Sequence, residues 1–422
     1  MRKSLFILLS TAILAACCVS CSDDAYHGEM FIPGDTILNT GLPVVFISTP
    51  DHAEIVSRDE WMGGVSIVIK NADGTIDYCD DSLQIRGRGN SSWDYPKKPY
   101  ALKLSSKEKI LGMPKHKRWV LLANWMDRTL MRNDIAFHIS DLTGLEWTPQ
   151  GEFVEVVLNN VHIGNYYLCE QIRVDKNRVD IAEMTEADID GEAVTGGYLI
   201  ELDTYFDEVN KFRSATRSLP YMIKEPDEEV LQPAQFSYIR DYIDTMEKKL
   251  YAKDWLATRE YADYMDLSSF VDWWFVHELM MNDEPAYPKS SYMYKDRAGK
   301  LKAGPVWDFD WKTLVPYKVS TWTAKTDIYY ARLFSDPQFV ALVKERWAMH
   351  KPKFDTVPEY IRAVAAKIKA SNEKNYRMWP LAAHRSGSTN GDQKLSYDDA
   401  VERLIDSYIA KLSWLDTQIN KM

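Results

Sequence analysis

Asp283 and Asp308 stand 25 residues apart in a segment, His277 to Trp311 (HELMMNDEPAYPKSSYMYKDRAGKLKAGPVWDFDW), whose local signals bring them toward one another. Two carboxylates at one site suit phosphoryl transfer. One orients an acceptor hydroxyl, and the other holds the magnesium ion that bridges the nucleotide phosphates. The triplet Asp308-Phe309-Asp310 follows an expected strand, where a metal-binding acidic triplet belongs, with Asp rather than Gly in third place. A short acidic run after a strand also reads as a solvated turn or a helix cap.

The elements around these acids decide between the two. Residues 267–281 repeat aromatic and aliphatic side chains at helical spacing behind the N-cap candidate Asp266, and Pro285 and Pro288 forbid continuation, which predicts a helix ending near Asn282. SSYMYKD then alternates, DRAG turns and GKLKAGPVW returns, a hairpin centred between Arg297 and Ala298. That centre places Asp308 opposite roughly Tyr287, near the end of the loop that carries Asp283.

Upstream, the chain from Leu42 to Leu104 reads as strands: PVVFIST, WMGGVSIVIK, a turn at Asn71 to Gly74, SLQIRGRGN and KKPYALKL. Alternation puts Tyr100, Leu102 and Leu104 on one face and Ala101 and Lys103 on the other. RGRGNSSW, between the last two strands, can present backbone amides to an anion or serve as an ordinary tight loop. Asp127 is expected to cap a helix running to about Thr143 and closed by Gly144, with Leu130, Ile135, Ile139 and Leu142 inward. Residues 152–158 and 163–169 predict a hairpin turning at Asn159 and Asn160, and GGYLIELD a further strand. Helices dominate afterwards. Phe236, Ile239, Ile243, Met246 and Leu250 mark one, and Val401, Leu404, Ile405, Tyr408, Leu412 and Leu415 mark a long one capped by Ser396.

Composition narrows the partners. Arg2 and Lys3 precede an apolar run from Leu5 to Leu14, closed by Leu14-Ala15-Ala16-Cys17, which matches a lipoprotein cleavage signal over residues 1–16. Cys21 is a second acylation candidate, because Ser22-Asp23-Asp24 behind it resembles the acidic surface-export tag of Bacteroidetes lipoproteins. The expected location is the outer membrane or cell surface, with membrane contact only through the N-terminal lipid anchor. Loss of residues 1–16 removes two positive charges and no acid, taking the net charge from −11 to −13. A chain this acidic has no electrostatic basis for binding nucleic acid. Cys79 and Cys169 remain outside the leader, either paired in an oxidising compartment or plain buried thiols. No second histidine completes HExxH after His277, and no GxSxG occurs, so zinc and serine hydrolase chemistry have no support.

RGRGNSSW with KKPYALKL, DRTLMRNDIAFHIS, GEFVEVVLNNVHIGNYYLCEQI, GGYLIELD and GPVWDFDW occur in an order and spacing that resembles the CotH family of spore-coat-protein kinases, across roughly residues 43 to 311. The resemblance implies an α+β fold, an atypical protein-kinase-like two-lobed arrangement behind a tether at residues 17–41. Its β-rich N-lobe would cover about 42–170 and its helical C-lobe about 171–422. It implies a cleft collecting RGRGN, Lys103, the 170 region, Asp283 and Asp308. Lys103 would neutralise nucleotide phosphates with Arg88 and Asn90 nearby, and Glu170 and Gln171 would offer hinge backbone groups to adenine. Asp283 would be the catalytic aspartate and Asp308 the ligand of magnesium or manganese. Where the family carries Lys-Asn before the hairpin, this chain has Lys289 followed by Ser290 and Ser291, so Ser290 stands in the amide's metal-assisting place. Asp283 is followed by Glu284, and either acid can occupy the base position.

Structural readings compete residue by residue. Lys103 also suits a surface strand, Arg132 and Asp134 suit helix-face ion pairs, and Glu170 suits a pair with Arg173. Trp273, Trp274, Trp307 and Trp311 suit core packing. The function expected from the resemblance is an ATP- and magnesium-dependent kinase acting on Ser or Thr of secreted or surface proteins. The alternatives are a surface adhesin or scaffold that kept the fold and lost the chemistry, and a glycan-processing enzyme, which would need two carboxylates roughly 5–10 Å apart across a sugar.

Overall fold

The computed structural model describes residues 40–381 and 390–422. The leader and tether lie outside the described residues. Two compact units emerge: residues up to Ala123 with Glu152–Leu168, and Asn124–Gly151 with Cys169–Met422. The segment around the first helix therefore groups with the later helices, not with the strands that flank it in sequence. Its helix packs on two later helices, which fixes its allegiance.

The first unit is a barrel. Strands β1 (Val44–Ser48), β2 (Met62–Lys70), β3 (Ile76–Gly87), β4 (Tyr100–Ile110), β5 (Met113–Leu122), β6 (Gly151–Leu158) and β7 (Val161–Glu170) close in the order β1-β2-β3-β4-β5-β7-β6. Parallel pairing of β1 with β6 closes the ring, with Val45 beside Val156. The expected alternation in β4 holds: Tyr100, Leu102 and Leu104 join Ile85, Trp119 and Leu121 in the barrel core, while Lys103 faces outward and is half-buried. Strand β3 starts earlier than its pattern suggested, and β5 carries too many charges to be read as a strand from sequence. Asn159 and Asn160, both left-handed (φ 49° and 65°), make the β6–β7 turn as anticipated.

Lys97, the first lysine of KKPY, points the other way. It is 1% exposed, donates to the carbonyls of Ala123 (2.9 Å) and Asn165, and lies 4.5 Å from the Tyr166 ring. Burial pushes its ammonium down to about 7.

The second unit combines a five-stranded sheet with helices. Strands β8 (Tyr198–Leu202), β9 (Lys211–Arg213), β10 (Pro220–Glu225), β11 (Ser291–Lys295) and β12 (Leu301–Ala303) order as β12-β11-β8-β10-β9. The longer helices are α1 (Arg132–Asp141), α2 (Pro233–Leu250), α3 (Leu267–Met280), α4 (Pro337–Phe354), α5 (Val357–Met378) and α6 (Tyr397–Lys421). Asp266 caps α3 through Ser269 N–H and Ser396 caps α6 through Asp399 N–H, as their sequences require. Buried Ile239, Ile243, Met246 and Leu250 line α2, while Phe236 is half-buried.

Two expectations fail on local chemistry. Helix α1 starts at Arg132, not after Asp127, because the Asp127 carboxylate holds the N–H and hydroxyl of Thr129 in a separate turn and reaches forward to the N–H of Arg132 (2.8 Å). The β11–β12 register pairs Met293 with Ala303, one residue off the predicted register, and ends there, so strand pairing does not extend to Asp308. Cys169 is a buried thiol outside any disulfide, the second of the two readings its sequence offers. Among the described residues no helix is long and apolar enough to cross a membrane.

Candidate active site

Helix α3 delivers one half of the acid site. It ends where Met281 turns left-handed (φ 57°), and Asn282 then ties two segments together. The Asn282 Oδ1 accepts the Glu284 N–H (3.0 Å), and its Nδ2 donates to the Asp308 carbonyl (3.2 Å). The loop and the acidic triplet are thus joined by one buried amide, not by strand register.

The triplet is braced from the other side by α1. Asn133 Oδ1 accepts the Phe309 N–H (2.8 Å), and its Nδ2 donates to Asn124 Oδ1 (3.0 Å). Arg132 pairs with Asp127 and with Asp392 (3.1 Å) and donates to the Thr313 carbonyl (3.1 Å). Asn390 donates to the Asp310 carbonyl (3.0 Å). The His277 ring, buried and held neutral by burial at about 3, stacks 3.7 Å from Trp273 and lies 5.0 Å from the Phe309 ring. Phe309 is therefore an anchor, and Asp308, exposed with φ 69°, projects beside it.

Charges in this corner oppose one another. Burial first, then the charge of Asp308, pushes both Glu284 and Asp310 well above the usual carboxylate range, with Lys289 partly offsetting this at Glu284. Glu284 Oε2 has no hydrogen-bond partner among the described residues. Asp203, at the end of β8, adds to the repulsion on Glu284. It is itself pushed up by burial, while accepting N–H groups from Tyr205 (2.7 Å) and Ser290 (3.3 Å).

The structure places the anticipated residues unevenly. Asp308 sits with Glu284 and Asp310, whereas Asp283 pairs with Lys318 at 2.8 Å and keeps its side chain 44% exposed. Ser290, left-handed at φ 46°, meets Asp203 through its backbone. Glu170 pairs with Arg178, not Arg173, and accepts the Gln150 N–H (3.0 Å). Arg173 goes to Glu225 and Asp227 instead. Asp134 accepts from the Tyr360 hydroxyl (2.9 Å), and Trp311 is 36% exposed, outside the core that holds the other three tryptophans.

Lys103, Arg88 and Asn90 belong to the first unit. Lys103 lies across from Gln84 on β3 and Arg118 on β5. Arg58 donates to Gly89 O (2.9 Å) and Asn90 Oδ1 (2.5 Å), fixing the RGRGN loop. A Cβ at Gly87 would fall 2.4 Å from the Trp93 ring, so that glycine is a packing requirement. Sequence reasoning missed Asp203, Asn133 and Asn282. Only Asp203 carried a visible signal, as the acid that closes GGYLIELD.

Among the described residues no three Asp, Glu, His or Cys side chains form a ready-made cage for a metal ion. Magnesium does not need one, since it commonly takes one or two carboxylates and fills its remaining positions with water and phosphate. Crowded carboxylates and an unpartnered buried Glu284 oxygen fit a hard divalent cation, magnesium or manganese.

The same crowding sets a pH dependence. Asp310 has a folded pKa above its unfolded value, so its favourable contribution is full below the unfolded value and lost as pH rises through the folded one. Asp310→Asn should raise Tm of the metal-free protein at pH 7 by about 2–4 °C. That gain should vanish below about pH 4, where Asp310 is already protonated. Melting curves across pH check this.

A seven-stranded barrel, a five-stranded sheet and helices make an α+β protein, whose second unit presents a braced acidic triplet. The family CotH, described as CotH kinase protein, matches residues 85–415, and the chain belongs to it. Comparison with curated proteins gave no match.

Proposed function

We propose that the protein transfers the terminal phosphoryl group of a magnesium-bound ATP to Ser or Thr hydroxyls of secreted or surface proteins. The observation that carries this reading is the opposition of Glu284, Asp308 and Asp310, two of them pushed up by burial and mutual repulsion. Divalent magnesium would relieve that repulsion and neutralise charge on the phosphates. Asp308 and Asp310 are the residues to hold it, with Asp203 and Ser290 beside them.

Glu284 suits the base better than Asp283. A general base needs an available carboxylate oxygen and a pKa near the working pH. Glu284 has a raised pKa and an unpartnered Oε2, while Asp283 is engaged by Lys318. In the transfer, the acceptor oxygen bonds to phosphorus as the bond to the departing ADP breaks, and the hydroxyl proton passes to the carboxylate. Lys103 would steady the phosphates from its strand, Arg88 and Asn90 would lie near them, and Glu170 would serve through its backbone. The leader supports a lipid-anchored position at the cell surface.

Thermal melting with ATP and magnesium tests the binding half of this reading. At one hundred times Kd, ligand should add about 2.7 kcal/mol of stability. Asp308→Ala should abolish that gain. Absence of any shift at millimolar nucleotide would leave the protein a scaffold with a kinase-like fold.

A further inference from the structure

Helix α2 carries a second row of large side chains that core packing does not use. Ile239, Ile243, Met246 and Leu250 are buried, and Tyr238, Tyr242 and Lys249 run one position ahead of that stripe, at helical spacing from one another. With Tyr264, just ahead of α3, and Lys295, the last residue of β11, they line a cavity of about 360 Å³ in the second unit. The acid corner is elsewhere. Ser291, at the opposite end of β11, pairs with Leu202 beside Asp203, and the strand separates it from Lys295 by about 13 Å.

The rings form one continuous wall. Tyr242 packs edge-on to Tyr264 at 5.2 Å and lies 6.2 Å from Tyr238, which stacks on Tyr198. The Lys295 ammonium, 1% exposed, sits 5.5 Å from the Tyr238 ring and 4.7 Å from the Tyr242 ring, and it donates to the carbonyls of Thr195 and Asp296 (3.2 Å for the latter). Its charge is thereby engaged, and Lys249 pairs with Glu260. An anion finds no spare cation here, and a cation meets one already seated on two rings. Tyr242 donates its hydroxyl to the Tyr264 carbonyl (2.9 Å), whereas the hydroxyls of Tyr238 and Tyr264 have no protein partner among the described residues. Burial first, then the nearby phenol of Tyr264, holds the hydroxyls of Tyr238 and Tyr242 above the usual phenol range, so the three oxygens lie close together. Asp263, exposed, adds one carboxylate to the lining. Aromatic faces with clustered hydroxyls, each a donor and an acceptor, call for an uncharged ligand with the same two features.

We infer that this cavity binds a neutral saccharide, whose sugar ring lays its apolar C–H face on the tyrosine wall and shares its hydroxyls with the Tyr238 and Tyr264 phenols and the Asp263 carboxylate. The inference stands apart from the kinase reading, since no step of phosphoryl transfer uses these residues.

Binding of the full-length protein to an array of immobilised neutral, amino and acidic glycans, followed by calorimetric titration with the best-bound member, tests it. Neutral members should bind. Tyr238→Phe and Tyr264→Phe keep both rings and break no protein hydrogen bond, and each should raise Kd about three- to tenfold, the scale of one hydrogen bond. Tyr264→Ala, which also removes a ring, should raise it further, and melting curves confirm that each variant is folded. Tyr251→Phe, which removes a phenol hydroxyl outside the cavity, should leave Kd unchanged. A wild-type protein that binds no array member, or a Kd that neither Phe variant moves, would overturn the inference and leave the kinase reading standing. Binding confined to acidic glycans would overturn the uncharged ligand. Binding lost in Asp308→Asn and kept in the tyrosine variants would move the saccharide to the acid corner and overturn the cavity's role.

Discussion

Asp308→Asn is expected to lower kcat for phosphoryl transfer by about three orders of magnitude, the several kcal/mol that a metal ion's charge stabilisation supplies. The substitution keeps the shape of the side chain. It also keeps the brace around it, because that brace is made to backbone: Asn282 to the Asp308 carbonyl, Asn133 to the Phe309 N–H and Asn390 to the Asp310 carbonyl. Loss of activity with an unchanged melting curve would therefore report chemistry and not folding. Transfer of labelled phosphate from ATP in magnesium or manganese measures it. Activity within tenfold of wild type would remove Asp308 from the metal site and, with it, the proposed mechanism.

Glu284→Gln and Asp283→Asn should separate sharply. Removing a general base costs about 10²–10⁴ in rate. We expect that loss at Glu284, with KM for ATP little changed, since the base acts on the acceptor. Asp283→Asn should cost far less in rate, because its carboxylate faces Lys318, whose ammonium also donates to the carbonyls of Met281 (3.2 Å) and Lys312 (2.8 Å). The opposite ranking would return the base to Asp283 and make Glu284 a structural acid. A rate that rises with pH in wild type and loses that dependence in Glu284→Gln would connect the loss to proton transfer.

Much of the scaffold was legible because its signals are local. The caps of α3 and α6, the left-handed asparagine turn between β6 and β7, and the inward face of YALKL each follow from a handful of adjacent residues. Signals failed where a side chain had two uses. Asp127 looked like a helix cap and instead organises a turn before the helix while neutralising Arg132. Strand β5 carries KHKRW, whose run of charge hides the alternation, and its place is fixed by pairing along β4, where Arg118 lies across from Lys103.

By itself the sequence determined the α+β class, the early strands other than β5, the helices α2, α3 and α6, the presence of an acid on either side of the 291–303 hairpin, and the outward placement of Lys103. These depend on periodicity and capping, which act over a few residues. The tertiary structure decided which acids confront one another. Asp283 and Glu284 are neighbours in the chain and equal in charge, yet Lys318, 35 residues on, engages the first, while Asp308 and Asp203 raise the second. The pKa of a carboxyl is set by desolvation and by charges within several ångströms, and such distances between remote segments exist only once the chain is folded.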